Sequence, residues 1–143
     1  MTLYLTKLLV LPLILHVVLI LYIGQKLVRA RIRSVRSGQT KISDIAVDTY
    51  AWPRKVKQLG NNFDNQFQTP TLWYGLTALV IALGTVDFIF VGLSWLYLLL
   101  RVVHSMIHIG NNEVPTRMRV FLVSFFVLVA MWLWLAVRLV MLG

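Results

Sequence analysis

No cysteine occurs among the 143 residues. That excludes disulfides, thiolate-held metals and a cysteine nucleophile, so any thiol chemistry must use a thiol that a substrate brings. Acidic residues are nearly as scarce. Five Asp and Glu stand against 14 Lys and Arg, for a net charge of +9. Charged residues of both signs make up only 13% of the chain, where a soluble domain carries about 25%. Together with 59% hydrophobic residues, this excludes an ordinary soluble domain and a disordered chain. In a soluble protein so basic a balance would point to nucleic acid. In a chain this apolar it encodes membrane topology, and no nucleic-acid partner is expected.

Long apolar runs fill the space that charge leaves. A bilayer core of about 30 Å takes about 20 apolar residues per helix. Four segments qualify, at residues 3–27, 67–86, 88–109 and 118–142. The expected fold is all-α: an integral membrane four-helix bundle forming one domain over residues 1–143, with the lipid bilayer as its surroundings. The first segment could pass for a signal peptide. Its apolar stretch is long, however, and Lys26, Arg29, Arg31, Arg33 and Arg36 follow it, so a retained helix is expected.

Loop charge sets the orientation. Between Arg29 and Lys57 eight Lys and Arg face only Asp44 and Asp48, a net +6 within the loop read at residues 29–60. The turn at residues 84–87 has no Lys or Arg, and the turn at 110–116 leads into Arg117 and Arg119. The two basic loops fall on one side, which is expected to be cytoplasmic, with both termini outside. Lys7 and Arg138 count weakly against this. The brevity of the chain and the lack of a retention motif point to a bacterial inner membrane. Pro12 and Pro70 are expected to kink their helices, and Pro115 to begin the fourth.

Polar residues inside apolar runs are costly and therefore informative. In the third segment Tyr97, Arg101, His104 and His108 recur at spacings of four, three and four, which puts them on one helical face. Before the second segment, Asn61, Asn65 and Gln68 share a face by the same spacing. With Arg117 at the start of the fourth helix, these groups can converge near the cytoplasmic boundary and suit an anionic, hydrogen-bonding ligand. The same groups can instead be glue, with Arg101 and the histidines bonding Asn65, Gln68 and Asp64 across the bundle. His16, mid-span in the first helix, reads either as a buried histidine with a partner or as a functional group. His104 and His108 have the spacing of a metal pair. No HExxH occurs, no third acidic ligand is evident, and Arg101 would repel a cation, so no metal is expected.

The run Asn65-x-x-Gln68-x-Pro70, then Arg101-x-x-His104-x-x-x-His108, then Arg117, within four spans, resembles the MAPEG superfamily. These are membrane-associated proteins in eicosanoid and glutathione metabolism. The resemblance covers nearly the whole chain and implies a homotrimer. It implies glutathione as co-substrate, bound between subunits near the cytoplasmic face, and a lipophilic substrate that enters from the lipid. It assigns Asn65, Gln68, Arg101, His104 and His108 to glutathione, with His108 where a tyrosine is usual, and Arg117 to the thiolate. One of Arg29, Arg31 and Arg33 matches a basic residue at the end of the first helix, and Arg31 is the candidate among them. The chemistry suits these residues. A free thiol has a pKa of about 8.5 and reacts as the thiolate, which a guanidinium in a low-dielectric site favours.

Three positions depart from the family pattern. Gln68 stands where glutamate is usual, Asn61 where glutathione-active members commonly have arginine, and Asp64 where some have a basic residue. The implied activity is a glutathione-dependent transferase or peroxidase. Its alternative is a non-catalytic trimeric membrane protein that binds an anionic lipid or a membrane partner. A small transporter or channel has only His16 in its favour.

Overall fold

The structure, a computed structural model, describes residues 2–142. Its helices are α1 (Thr2–Arg36), α2 (Ile42–Val47), α3 (Arg54–Asn65), α4 (Thr69–Ala82), α5 (Phe88–Ile109) and α6 (Val114–Leu142), with a 3-10 turn at Thr49–Ala51. No strand occurs among the described residues. α1, α5 and α6 are long and apolar enough to cross a membrane.

The element bounds amend the sequence reading in four places. α1 does not stop near residue 27 but continues through its basic end to Arg36. The segment at 29–60 is therefore largely helical, filled by the end of α1, by α2, by the 3-10 turn and by the first part of α3. α3 is strongly amphipathic, with Val56, Gln58 and Asn62 buried, and it packs along α1. Its polar sequence looks like a loop when its buried side is out of view. The second span, read at 67–86, is the 14-residue α4, about 21 Å long at 1.5 Å per residue. It is shorter because the chain breaks at residues 66–68 and because α4 ends early. Gly84, at φ +65°, closes that end, with Thr85 N–H on Val80 O and Gly84 N–H on Ile81 O, a Schellman arrangement. Pro70 consequently lies in the first turn of α4, where its missing N–H costs nothing, rather than inside a kinked span.

Side-chain contacts give the packing order. Thr69 meets Tyr97 and Trp73 meets Ser94, so α4 and α5 run antiparallel, while the backbone of α4 packs closest on α6 and α1. α6 runs back along α5, with Phe121 against His104 and Trp134 bonded to Asp87. At the start of α5 Asp87 accepts Phe90 N–H as a helix cap with one oxygen. Its other oxygen takes the Trp134 indole at 3.0 Å and pairs with Arg138 at 3.5 Å. Arg138 thus has an anionic partner of its own at that end of the bundle.

Two further contacts hold α1. Gly24 lets the Phe63 ring of α3 approach closely, since a Cβ there would lie 3.1 Å from it. Pro12 cannot donate to the carbonyl four residues earlier. That carbonyl, Leu8 O, accepts the Trp95 indole N–H at 3.1 Å instead. The core is built from Leu5, Leu9, Trp73, Leu76, Phe90 and Leu128 with their neighbours, all from the apolar faces of α1, α4, α5 and α6.

Candidate functional site

One face of α5 carries Tyr97, Arg101, His104 and His108, all buried. Tyr97 donates its hydroxyl to Thr69 at 3.1 Å. Arg101 is 0% exposed, and its Nη2 donates to the main-chain oxygen of Asn65 at 2.8 Å. That oxygen belongs to the last residue of α3, whose final carbonyls have no helical acceptor role left. The remaining Arg101 donors, Nε and Nη1, have no partner among the described residues. His104 Nδ1 and His108 Nδ1 are likewise buried without partners.

α6 supplies the other wall. Arg117, half-buried in its first turn, reaches back with Nη1 to His108 Nε2 at 3.2 Å and to Asn112 Oδ1. Asn112 has φ +54°, a left-handed conformation that asparagine tolerates better than most residues. That turn orients its amide toward Arg117. Gln58 of α3 donates to the carbonyl of His108 and, more loosely, to those of Ile109 and Gly110. It thereby satisfies carbonyls at the end of α5 and fixes α3 against it.

Between α3, α5 and α6 lies a cavity of about 260 Å³ lined by Asn61, Asp64, Asn65, Gln68, His108 and Arg117. Four of the seven residues singled out in the sequence (Asn65, Gln68, His108 and Arg117) meet on this wall. Arg101 and His104 stand behind it, buried on the same face of α5. Arg31 lines a separate cavity of about 250 Å³ that shares Asn61 and Asp64 with the first. Its guanidinium sits 5.2 Å from the Trp52 ring. Asn61 and Asn65 are on α3 and their side chain and backbone are joined at 2.8 Å. Gln68 lies beyond the end of that helix, so the shared helical face read for the three does not extend to it.

A second polar cluster has no local signature in the sequence. His16 Nε2 lies 3.1 Å from Gln66 Oε1, and His16 Nδ1 lies 2.7 Å from the Tyr74 hydroxyl. Because an amide oxygen only accepts, Nε2 carries the hydrogen and Nδ1 accepts from Tyr74. Gln66 Nε2 reaches Asn62 Oδ1 and Ser105 Oγ, each at 3.0 Å, and Asn62 O at 2.9 Å. Four helices and the break between α3 and α4 are joined there. His16 is thus a buried histidine with two partners.

A family model described as MAPEG family matches residues 9–137. No curated protein and no solved structure matches the chain.

Proposed function

The chain belongs to the MAPEG family, membrane proteins of glutathione and eicosanoid metabolism, and on that premise we propose that it is a glutathione-dependent transferase or peroxidase acting on lipophilic substrates. The observation that carries this reading is the shared cavity of Asn65, Gln68, His108 and Arg117. Its fit to an anionic thiol peptide is supported by the cationic Arg117 and the His108 Nδ1 hydrogen at that wall, with the unpartnered Arg101 Nε and Nη1 buried behind it. A ligand with two carboxylates and many amide oxygens can occupy such donors.

Arg117 stabilises the thiolate as the thiol proton leaves to water. The sulfur lone pair then attacks the electrophilic carbon of the acceptor. A carbon–sulfur bond forms, and the displaced group departs with its bonding pair. With a hydroperoxide, two glutathione thiols become the disulfide while the O–O bond is reduced to alcohol and water. Asn65 and Gln68 orient the peptide, and Arg31 attracts a carboxylate from the neighbouring cavity. Gln68 does this without the charge assistance of a carboxylate, so the peptide's ammonium is held more weakly.

The same proposal takes the protein as a homotrimer in a bacterial inner membrane. α4 is its short fourth membrane helix, and the basic ends of α1 and α6 face the cytoplasm. The unpartnered Arg101 donors support a ligand shared between copies.

Calorimetric titration of the purified trimer with glutathione tests the reading. Saturable binding at millimolar concentration, with a thiolate absorbance that disappears in Arg117→Ala, is expected. No saturation in that range sinks it.

A further inference from the structure

The basic end of α1 does more than its count of charges requires. Lys26, Arg29, Arg33 and Arg36 recur at spacings of three, four and three, so they form one stripe along the helix. Arg31 falls off that stripe and faces Trp52. Lys55 of α3 converges on the stripe from across a groove of about 350 Å³, whose lining includes Lys26, Arg29, Arg33, Lys55, Leu59 and Ile109. No acidic residue lines it, and none of its four cations is in an ion pair among the described residues. The groove shares no lining residue with the Arg117 cavity.

A topology signal needs cations at the end of a span, but it does not need two helices to gather them around one apolar-floored groove. Like charges held this close raise one another's energy unless an anion sits among them. Lys26 is the first cation after the apolar run of α1, so the groove opens at the level of the lipid headgroups. Leu59 and Ile109, both half-buried, form the apolar floor of the groove, where acyl chains would lie. Cations above and hydrocarbon below match one kind of molecule. We propose that this α1–α3 groove binds the headgroup of an anionic phospholipid, the phosphate lying among Lys26, Arg29, Arg33 and Lys55 and the acyl chains along Leu59 and Ile109.

The test uses the full-length protein in nanodiscs of phosphatidylcholine, alone or mixed with phosphatidylglycerol. After exchange into detergent, the retained lipid is counted by mass spectrometry. Phosphatidylglycerol is expected to be retained over phosphatidylcholine. Arg33→Gln and Lys55→Gln, both at exposed positions, should each weaken retention by about fivefold, the effect of roughly one juxtamembrane cation. Arg119→Gln, which removes an exposed cation on α6, should leave it unchanged. Equal retention of the two lipids overturns the proposal. So does an Arg119→Gln effect as large as that of Arg33→Gln, which would mean diffuse surface charge. Displacement of the lipid by inorganic phosphate would make the ligand a free anion and overturn the lipid assignment.

Discussion

Two buried polar clusters lie back to back in this protein and end in opposite states. One joins His16, Asn62, Gln66, Tyr74 and Ser105, and every polar side-chain atom in it except Asn62 Nδ2 has a partner. The other joins Arg101, His104, His108 and Arg117 and leaves four buried nitrogens without one among the described residues. Their members are sequence neighbours: Gln66 follows Asn65, and Ser105 follows His104. Alternate faces of the same two segments therefore serve different ends. A buried polar group without a partner costs about 1–3 kcal/mol, so a cluster that closes on itself holds the fold, and one that stays open is suited to a ligand. On the proposed function the first cluster serves stability and the second chemistry, and each part of that reading can be broken.

The largest expected effect falls on the open cluster. Arg117→Ala should lower kcat by about 10²–10³-fold, the cost of removing one preorganised stabiliser of developing anionic charge. Its melting temperature should stay near that of the parent, because Arg117 is half-buried and its partner His108 lies at the cavity wall. A large loss of stability with activity per folded molecule intact would reverse the assignment.

Next comes the closed cluster. Gln66→Leu removes the contacts to His16, Asn62 and Ser105 together. Membrane hydrogen bonds average about 0.6 kcal/mol and reach about 1.7, so the loss should be about 2–3 kcal/mol in an unfolding titration. Glutathione affinity of the folded fraction should not change. Coupled losses of stability and affinity would mean that the two clusters act as one.

A smaller change sharpens the open side. Gln68→Glu gives the cavity a carboxylate at an exposed position and turns a neutral hydrogen bond into a charge-assisted one. Tightening of glutathione by about fivefold to tenfold is expected, or about 1 kcal/mol, read by titration. Unchanged affinity would remove Gln68 from the contact set.

The open cluster was legible in the sequence, and the closed one was not, for a physical reason. Tyr97, Arg101, His104 and His108 stand out because helical spacing alone gathers them on one face of an apolar run. The bounds of α5 follow from the same run, Asp87 capping its start. Gln66 finds its partners across 50 and 39 residues of sequence, and no local period encodes such distances. α3 escaped for a related reason. Its polar residues look solvated until Phe63 is seated on Gly24 and Gln58 on the end of α5.

The smallest effect tests whether the closed side's logic of full pairing extends to the backbone. Pro12 deprives Leu8 O of its helical donor, and Trp95 supplies a substitute from α5. Trp95→Phe keeps an aromatic ring but removes that donor, leaving a carbonyl unpaired inside the bundle, at a cost of about 1 kcal/mol. Pro12→Ala restores an N–H that can bond Leu8 O within α1. In that background Trp95→Phe should cost measurably less, because the carbonyl keeps a donor whether or not the indole is there. A double-mutant cycle in detergent unfolding isolates this coupling from the lost indole packing, which is common to both backgrounds. Zero coupling would mean that Trp95 contributes only its bulk, and that the helix tolerates an open carbonyl beside Pro12.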